Sequence, residues 1–145
     1  NKLSQISITH MKQQKIYPFS SLNLRLTADA LEGLSGTTTD NDGKEIPNVA
    51  IFSELLKDMR TTAGYDDSFR RPLNLKPGQM QFSEISLAER WNLGRKKTHN
   101  FLSRMEAAGL VSIYNSRIGS AISFSCITGW ENPDGETVIN GFFTD

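Results

Sequence analysis

Between residues 95 and 105 the chain reads RKKTHNFLSRM, and these are side chains suited to contact with nucleic acid. Arginine and lysine neutralise phosphates, lysine can donate to guanine, and asparagine can pair with adenine through two hydrogen bonds. Set on a helical wheel at 100° per residue, Thr98, Phe101, Leu102 and Met105 gather on one side. Lys96, Asn100 and Ser103 fall opposite them, Lys97 and Arg104 along one edge, and His99 along the other. The spacing therefore predicts a helix with an apolar stripe sunk in the protein. Lys96, Asn100 and Ser103 would stand near base edges, with Arg95, Lys97 and Arg104 near phosphates. His99 is a further candidate contact, and Arg117, in a polar loop downstream, is placed to meet a phosphate or a minor groove.

Other chemistries find little support. There are two histidines, His10 and His99, and one cysteine, Cys126, without HxxxH or CxxC spacing, so no zinc site is expected. Residues 38–49 suggest a calcium loop, but Thr38 and Val49 occupy positions where carboxylates are needed. No P-loop or dinucleotide-binding glycine pattern occurs, and the expectation is a binding protein without cofactor, metal or catalytic residues. A lone Cys126 cannot close an internal disulfide, which fits a reducing cytoplasm, and its β-rich surroundings suggest a buried thiol. No apolar run approaches the roughly 20 residues of a membrane span. Residue 1 is Asn, so the chain is expected to be trimmed or part of a longer protein, and a targeting segment could have been lost.

The formal net charge is zero, yet its distribution is uneven. From Arg70 to Arg117 nine Lys/Arg face only Glu84, Glu89 and Glu106, while the remainder holds seven basic and thirteen acidic residues. A polyanion responds to the local field of such a segment rather than to whole-chain charge.

The elements needed to position these residues can be read around them. Ser83 is a good cap for a helix with Ile85, Leu87, Ala88 and Trp91 on its buried side. Asn92-Leu93-Gly94 then makes a short turn, and Gly109 ends the basic helix. Two β-rich runs, 110–114 and 121–128, flank the polar loop 115–120. Upstream, Val49, Phe52, Leu55, Leu56 and Met59 predict a helix from Asn48 to about Gly64. Leu73 and Leu75 pair with Met80 and Phe82 in a predicted hairpin about Pro77-Gly78. Thr27 is a plausible cap for a short helix, and residues 36–47 read as a mobile polar loop. Ile6, Ile8, Leu22, Leu24 and Leu26 suggest strands or an extended arm, with a turn or a flexible loop at 11–15.

Helix, turn, basic helix and hairpin define the predicted fold: α+β, a winged helix-turn-helix with a three-helix core and β-hairpin wing, plus an N-terminal β-rich or extended arm. The corresponding division is 1–47 for the arm and loop, 48–130 for the DNA-binding domain and 131–145 for the tail. Residues 77–130 also resemble the DNA-binding domains of phage and mobile-element replisome organisers and of bacterial regulators. The resemblance is carried by Gly78-Gln79, Ser83, Leu87-Ala88-Glu89-Arg90-Trp91, Arg95, Phe101-Leu102, Glu106 and Gly109-Leu110-Val111. A departure is Gly94, where relatives often carry Ser. The resemblance implies a cytoplasmic protein that binds double-stranded DNA in replication initiation or transcription regulation. The alternative is a protein-interaction module of a replication or assembly complex. A homodimer through the N-terminal arm, or a protein partner held by that arm or by Phe142-Phe143 of the tail, fits either reading.

Overall fold

A computed structural model describes residues 16–145. The expected strands at Ile6 and Ile8, the turn or loop at 11–15 and His10 lie outside the described residues. Chain order gives β1 (Ser21–Leu24), α1 (Ala28–Leu34), β2 (Thr37–Thr39), β3 (Glu45–Pro47), α2 (Asn48–Leu55) and a 3-10 turn (Leu56–Asp58). β4 (Gln79–Phe82), α3 (Glu84–Trp91), α4 (Arg95–Ala107), β5 (Ser112–Asn115), β6 (Ser120–Ser123), β7 (Ile127–Glu131) and β8 (Thr137–Ile139) follow.

The predicted three-helix winged-helix architecture with an extended arm is not what forms. Among the described residues, eight strands in three small sheets outnumber four α-helices, giving a mixed α/β fold. The sheets are antiparallel, in the orders β1-β7-β8, β2-β3 and β4-β6-β5. The first takes in the strand expected about Leu22 and Leu24 together with part of the tail, and the third joins β4 to the two strands about the 115–120 loop.

Each departure has a physical cause. Residues 36–47 form a hairpin rather than a mobile loop, because β-branched Thr37–Thr39 pair with Glu45–Pro47 around a braced turn. There Asp40 Oδ1 accepts from the Asp42 and Lys44 amides, and Gly43 supplies a φ of 81°. The Lys44 amide, chief among those influences, holds the Asp40 carboxyl below its usual range. Helix α2 stops well before Gly64, because the chain becomes extended at Met59 and Arg60 exchanges backbone hydrogen bonds with Gln79 and Gly78. β4 pairs with β6 instead of with Leu73 and Leu75, while Leu75 bridges Gly64. The run 121–128 divides into β6 and β7, and β7 is the central strand between β1 and β8.

One core joins the helices to two of the sheets. Phe52, Leu55, Met80, Phe82, Leu87, Trp91, Leu102, Met105, Ile122, Phe124 and Trp130 belong to it. The Phe52–Phe124 and Trp91–Phe101 ring pairs meet edge to face, at centroid separations of 6.3 and 5.4 Å. Trp130 is 0% exposed, and its indole donates to Asn132 Oδ1. Asn140 fixes the tail: its amide donates to the Phe124 and Ile127 carbonyls, and its oxygen accepts from the Phe142 amide. Among the described residues no helix is long and apolar enough to cross a membrane.

Candidate nucleic-acid interface

Helix α4 is positioned from both ends. Ser83 Oγ accepts from the Ser86 amide and so caps α3. Asn92 ends α3 in the left-handed conformation, φ 54°, a role that asparagine tolerates better than most side chains. Buried Leu93 anchors the turn, and α4 begins after Gly94 without a side-chain cap. A Cβ at Gly94 would touch nothing, so steric crowding does not require glycine there. Thr98, 0% exposed, satisfies its hydroxyl on the Gly94 carbonyl, and Phe101, Leu102 and Met105 are sunk beside it. The predicted apolar stripe is therefore the buried one.

Arg95, Lys96, Lys97, His99, Asn100, Ser103 and Arg104 are all exposed, but they are not equally free. Lys97 Nζ donates to the Thr39 carbonyl at 2.7 Å. Arg104 Nη2 donates to the Gly33 and Ser35 carbonyls at 3.1 and 3.2 Å, completing the C-terminus of α1. His99 Nδ1 lies 2.7 Å from Glu84 Oε2 and links α4 to the first turn of α3. No hydrogen bond or ion pair within the described residues engages the side chains of Arg95, Lys96, Asn100 or Ser103.

Two neighbours frame this free group. Helix α1 crosses so near α4 that a Cβ on Gly33 would come within 2.8 Å of Ala108 Cβ. The β2-β3 turn docks on the α3-α4 turn: the Asn41 amide donates to the Asn92 carbonyl, and Asn92 Nδ2 donates to Asp42 Oδ2, both at 2.8 Å. Sequence reading missed this contact. Its available signal was the Asp-Asn-Asp-Gly turn following three threonines.

The basic surplus also contains a member neutralised within the protein. Arg90 pairs with Glu54 at 2.7 Å and Asp58 at 2.6 Å, and Trp91 donates to Glu54 beside it. Burial opposes the guanidinium charge, but the Asp58 and Glu54 contacts outweigh it and raise Arg90 above its usual value. This cation braces α3 against α2 and the following 3-10 turn.

The β5-β6 loop holds itself in shape. Ser116 exchanges hydrogen bonds with Gly119 and accepts from the Ile118 amide, while Ser120 Oγ donates to Asn115 Oδ1. Arg117 stands exposed at its tip, and Tyr114 is exposed on β5. Buried Cys126 has its thiol pushed up to about 11 by desolvation. Among the described residues no group of three His, Cys, Asp or Glu could hold a metal ion. No protein-family model matches the chain, and no curated protein or solved structure matches it.

Proposed function

We propose that this protein binds double-stranded DNA sequence-specifically through the exposed face of α4, as a factor in replication initiation or transcription control. The observation carrying this reading is a helix with Thr98, Phe101, Leu102 and Met105 sunk and Lys96, Asn100 and Ser103 projecting from the opposite side. A major groove about 12 Å wide admits such a helix. Lys96, Asn100 and Ser103 face base edges, while Arg95 and Arg117 hold phosphates. Lys97 and Arg104 act as positioning residues, keeping the β2-β3 hairpin and α1 beside the helix. The reading assigns binding rather than catalysis.

Selection from random duplexes, followed by affinity measurement at two salt concentrations, tests the function. Wild type should return one motif, with binding that weakens steeply as salt rises. Asn100→Ala should relax preference at one base pair, at a cost of about 1–3 kcal/mol. The same motif from both proteins would remove Asn100 from base recognition, and no motif from wild type would overturn sequence-specific binding.

Ile139, 85% exposed on β8, favours a second reading in which the tail docks a protein partner. Association insensitive to salt and lost in Ile139→Asp would support it.

A further inference from the structure

Away from α4, an open cleft of about 460 Å3 lies between the segment 69–71 and the β5-β6 loop. Phe69, Arg70 and Arg71 line one side, Ile118 and Gly119 the other, and Phe82 and Ser83 at the end of β4 also border it. Both arginines are exposed. Among the described residues neither has a carboxylate within ion-pair distance. The lining contains no acidic residue. Glu84, next in sequence to Ser83, directs its carboxylate to His99.

The walls are held in fixed relation by Gln81, which is 4% exposed. Its Nε2 donates to the Arg71 carbonyl and its Oε1 accepts from the Leu73 amide, at 3.1 and 2.8 Å. The loop approaches the same amide so closely that a Cβ on Gly119 would sit 2.8 Å from Gln81 Nε2. The guanidinium-bearing segment and the loop are therefore braced against one buried side chain. The backbone that carries both cations is already positioned there, which lowers part of the ordering cost of an incoming anion.

Position identifies the anion. Ser83 at the cleft caps α3, Glu84 reaches His99 on α4, and Ile118 follows Arg117 at the loop tip. A continuous strip thus runs from the free face of α4, past the start of α3, to the arginine pair. We propose that this cleft is a second phosphate subsite, in which Arg70 and Arg71 grip backbone phosphates flanking the groove that α4 enters. The inference rests on the duplex-binding reading above. Paired guanidinium forks suit phosphate oxygens, and such contacts add affinity without reading sequence.

The test compares wild type with Arg70→Ala/Arg71→Ala on the selected duplex and on a version shortened at the flank, between 50 and 200 mM salt. Circular dichroism and melting first establish that the variant is folded. On the long duplex the magnitude of its log K against log salt slope should fall by about one to two units. Its selected motif should remain unchanged. On the short duplex the two proteins should converge. An unchanged slope with intact binding overturns the subsite alone, whereas absence of salt-dependent duplex binding by wild type overturns the underlying reading. A titration with inorganic phosphate separates the sources: saturable binding that does not compete with duplex would assign the cleft to a free anion and overturn the proposal.

Discussion

Lys96 and Lys97 are adjacent, carry the same charge and are both exposed, so sequence treats them alike. Their surroundings separate them. Lys97 Nζ is 2.7 Å from the Thr39 carbonyl, whereas Lys96 has no such partner among the described residues. Each phosphate contact on duplex DNA contributes about 0.9 to the slope of log K against log salt. Lys96→Ala should therefore lower the magnitude of the slope by about 0.9. Over a fourfold rise from 50 to 200 mM, its affinity should decline about 3.5-fold less than that of wild type. Lys97→Ala should lower the slope by less and register mainly in stability, where loss of an exposed hydrogen bond costs about 0.5–1.5 kcal/mol. Fluorescence anisotropy on the selected duplex measures the first effect, and urea unfolding the second. A slope change of about 0.9 in Lys97→Ala would refute the division between contacting and positioning lysines, as would an unchanged slope in Lys96→Ala.

Asn140→Ala should cost about 2–4 kcal/mol in urea unfolding, because the Phe124 and Ile127 carbonyls lose their shared donor in a buried place; a loss under about 1 kcal/mol would mean that water replaces the amide. Gly33→Ala should destabilise by about 1–3 kcal/mol through collision with Ala108, and Ala108→Gly in the same chain should recover part of that, whereas strict additivity would deny the contact. Cys126 should resist alkylation at pH 8 until the protein unfolds. Its raised folded value makes the unfolded thiol ionise first, so its contribution to stability should be present below about pH 9 and decline towards pH 11 by about 1.4 kcal/mol per unit. Rapid labelling of the native protein, or a flat response there once Cys126→Ser is subtracted, would contradict this.

What sequence made legible was local. The periodicity that placed Thr98, Phe101, Leu102 and Met105 on one side of α4 reports directly on burial, because an amphipathic helix is anchored by that stripe. The caps at Thr27 and Ser83 and the strands about the 115–120 loop likewise depend on residues a few positions apart. The remainder depends on long-range partners. Leu22 meets Trp130 and Asn23 meets Gly129, pairings that no local window contains. The polar composition of residues 36–47 suggests a loop, yet the β-branched threonines and the Asp-Gly turn make a hairpin of it. For the candidate interface, side-chain types were legible, while the attachment of Lys97 to Thr39 and Arg104 to Gly33 and Ser35 required the fold.

These attachments narrow any surface that α4 can offer to a polyanion. The carbonyls of β2 and the end of α1 hold two of its cations, and Glu54 and Asp58 hold Arg90. The turn docked at Asn92 brings Asp42 beside the start of α4, with Asp40 kept ionised by its own hairpin. Phosphates approaching from that side would meet like charge, whereas the cleft lining beside the arginine pair holds no carboxylate, Asp58 and Asp66 lining the adjoining pocket that shares Phe69 and Ser83. A duplex bound as proposed would thereby be steered away from the β2-β3 hairpin and towards the β5-β6 loop. With Arg70, Arg71, Arg95, Lys96 and Arg117 as the unengaged cations on and beside this path, these five should together contribute about 4.5 to the magnitude of the salt slope. A steeper slope would bring further cations into the interface, Lys97 and Arg104 among them.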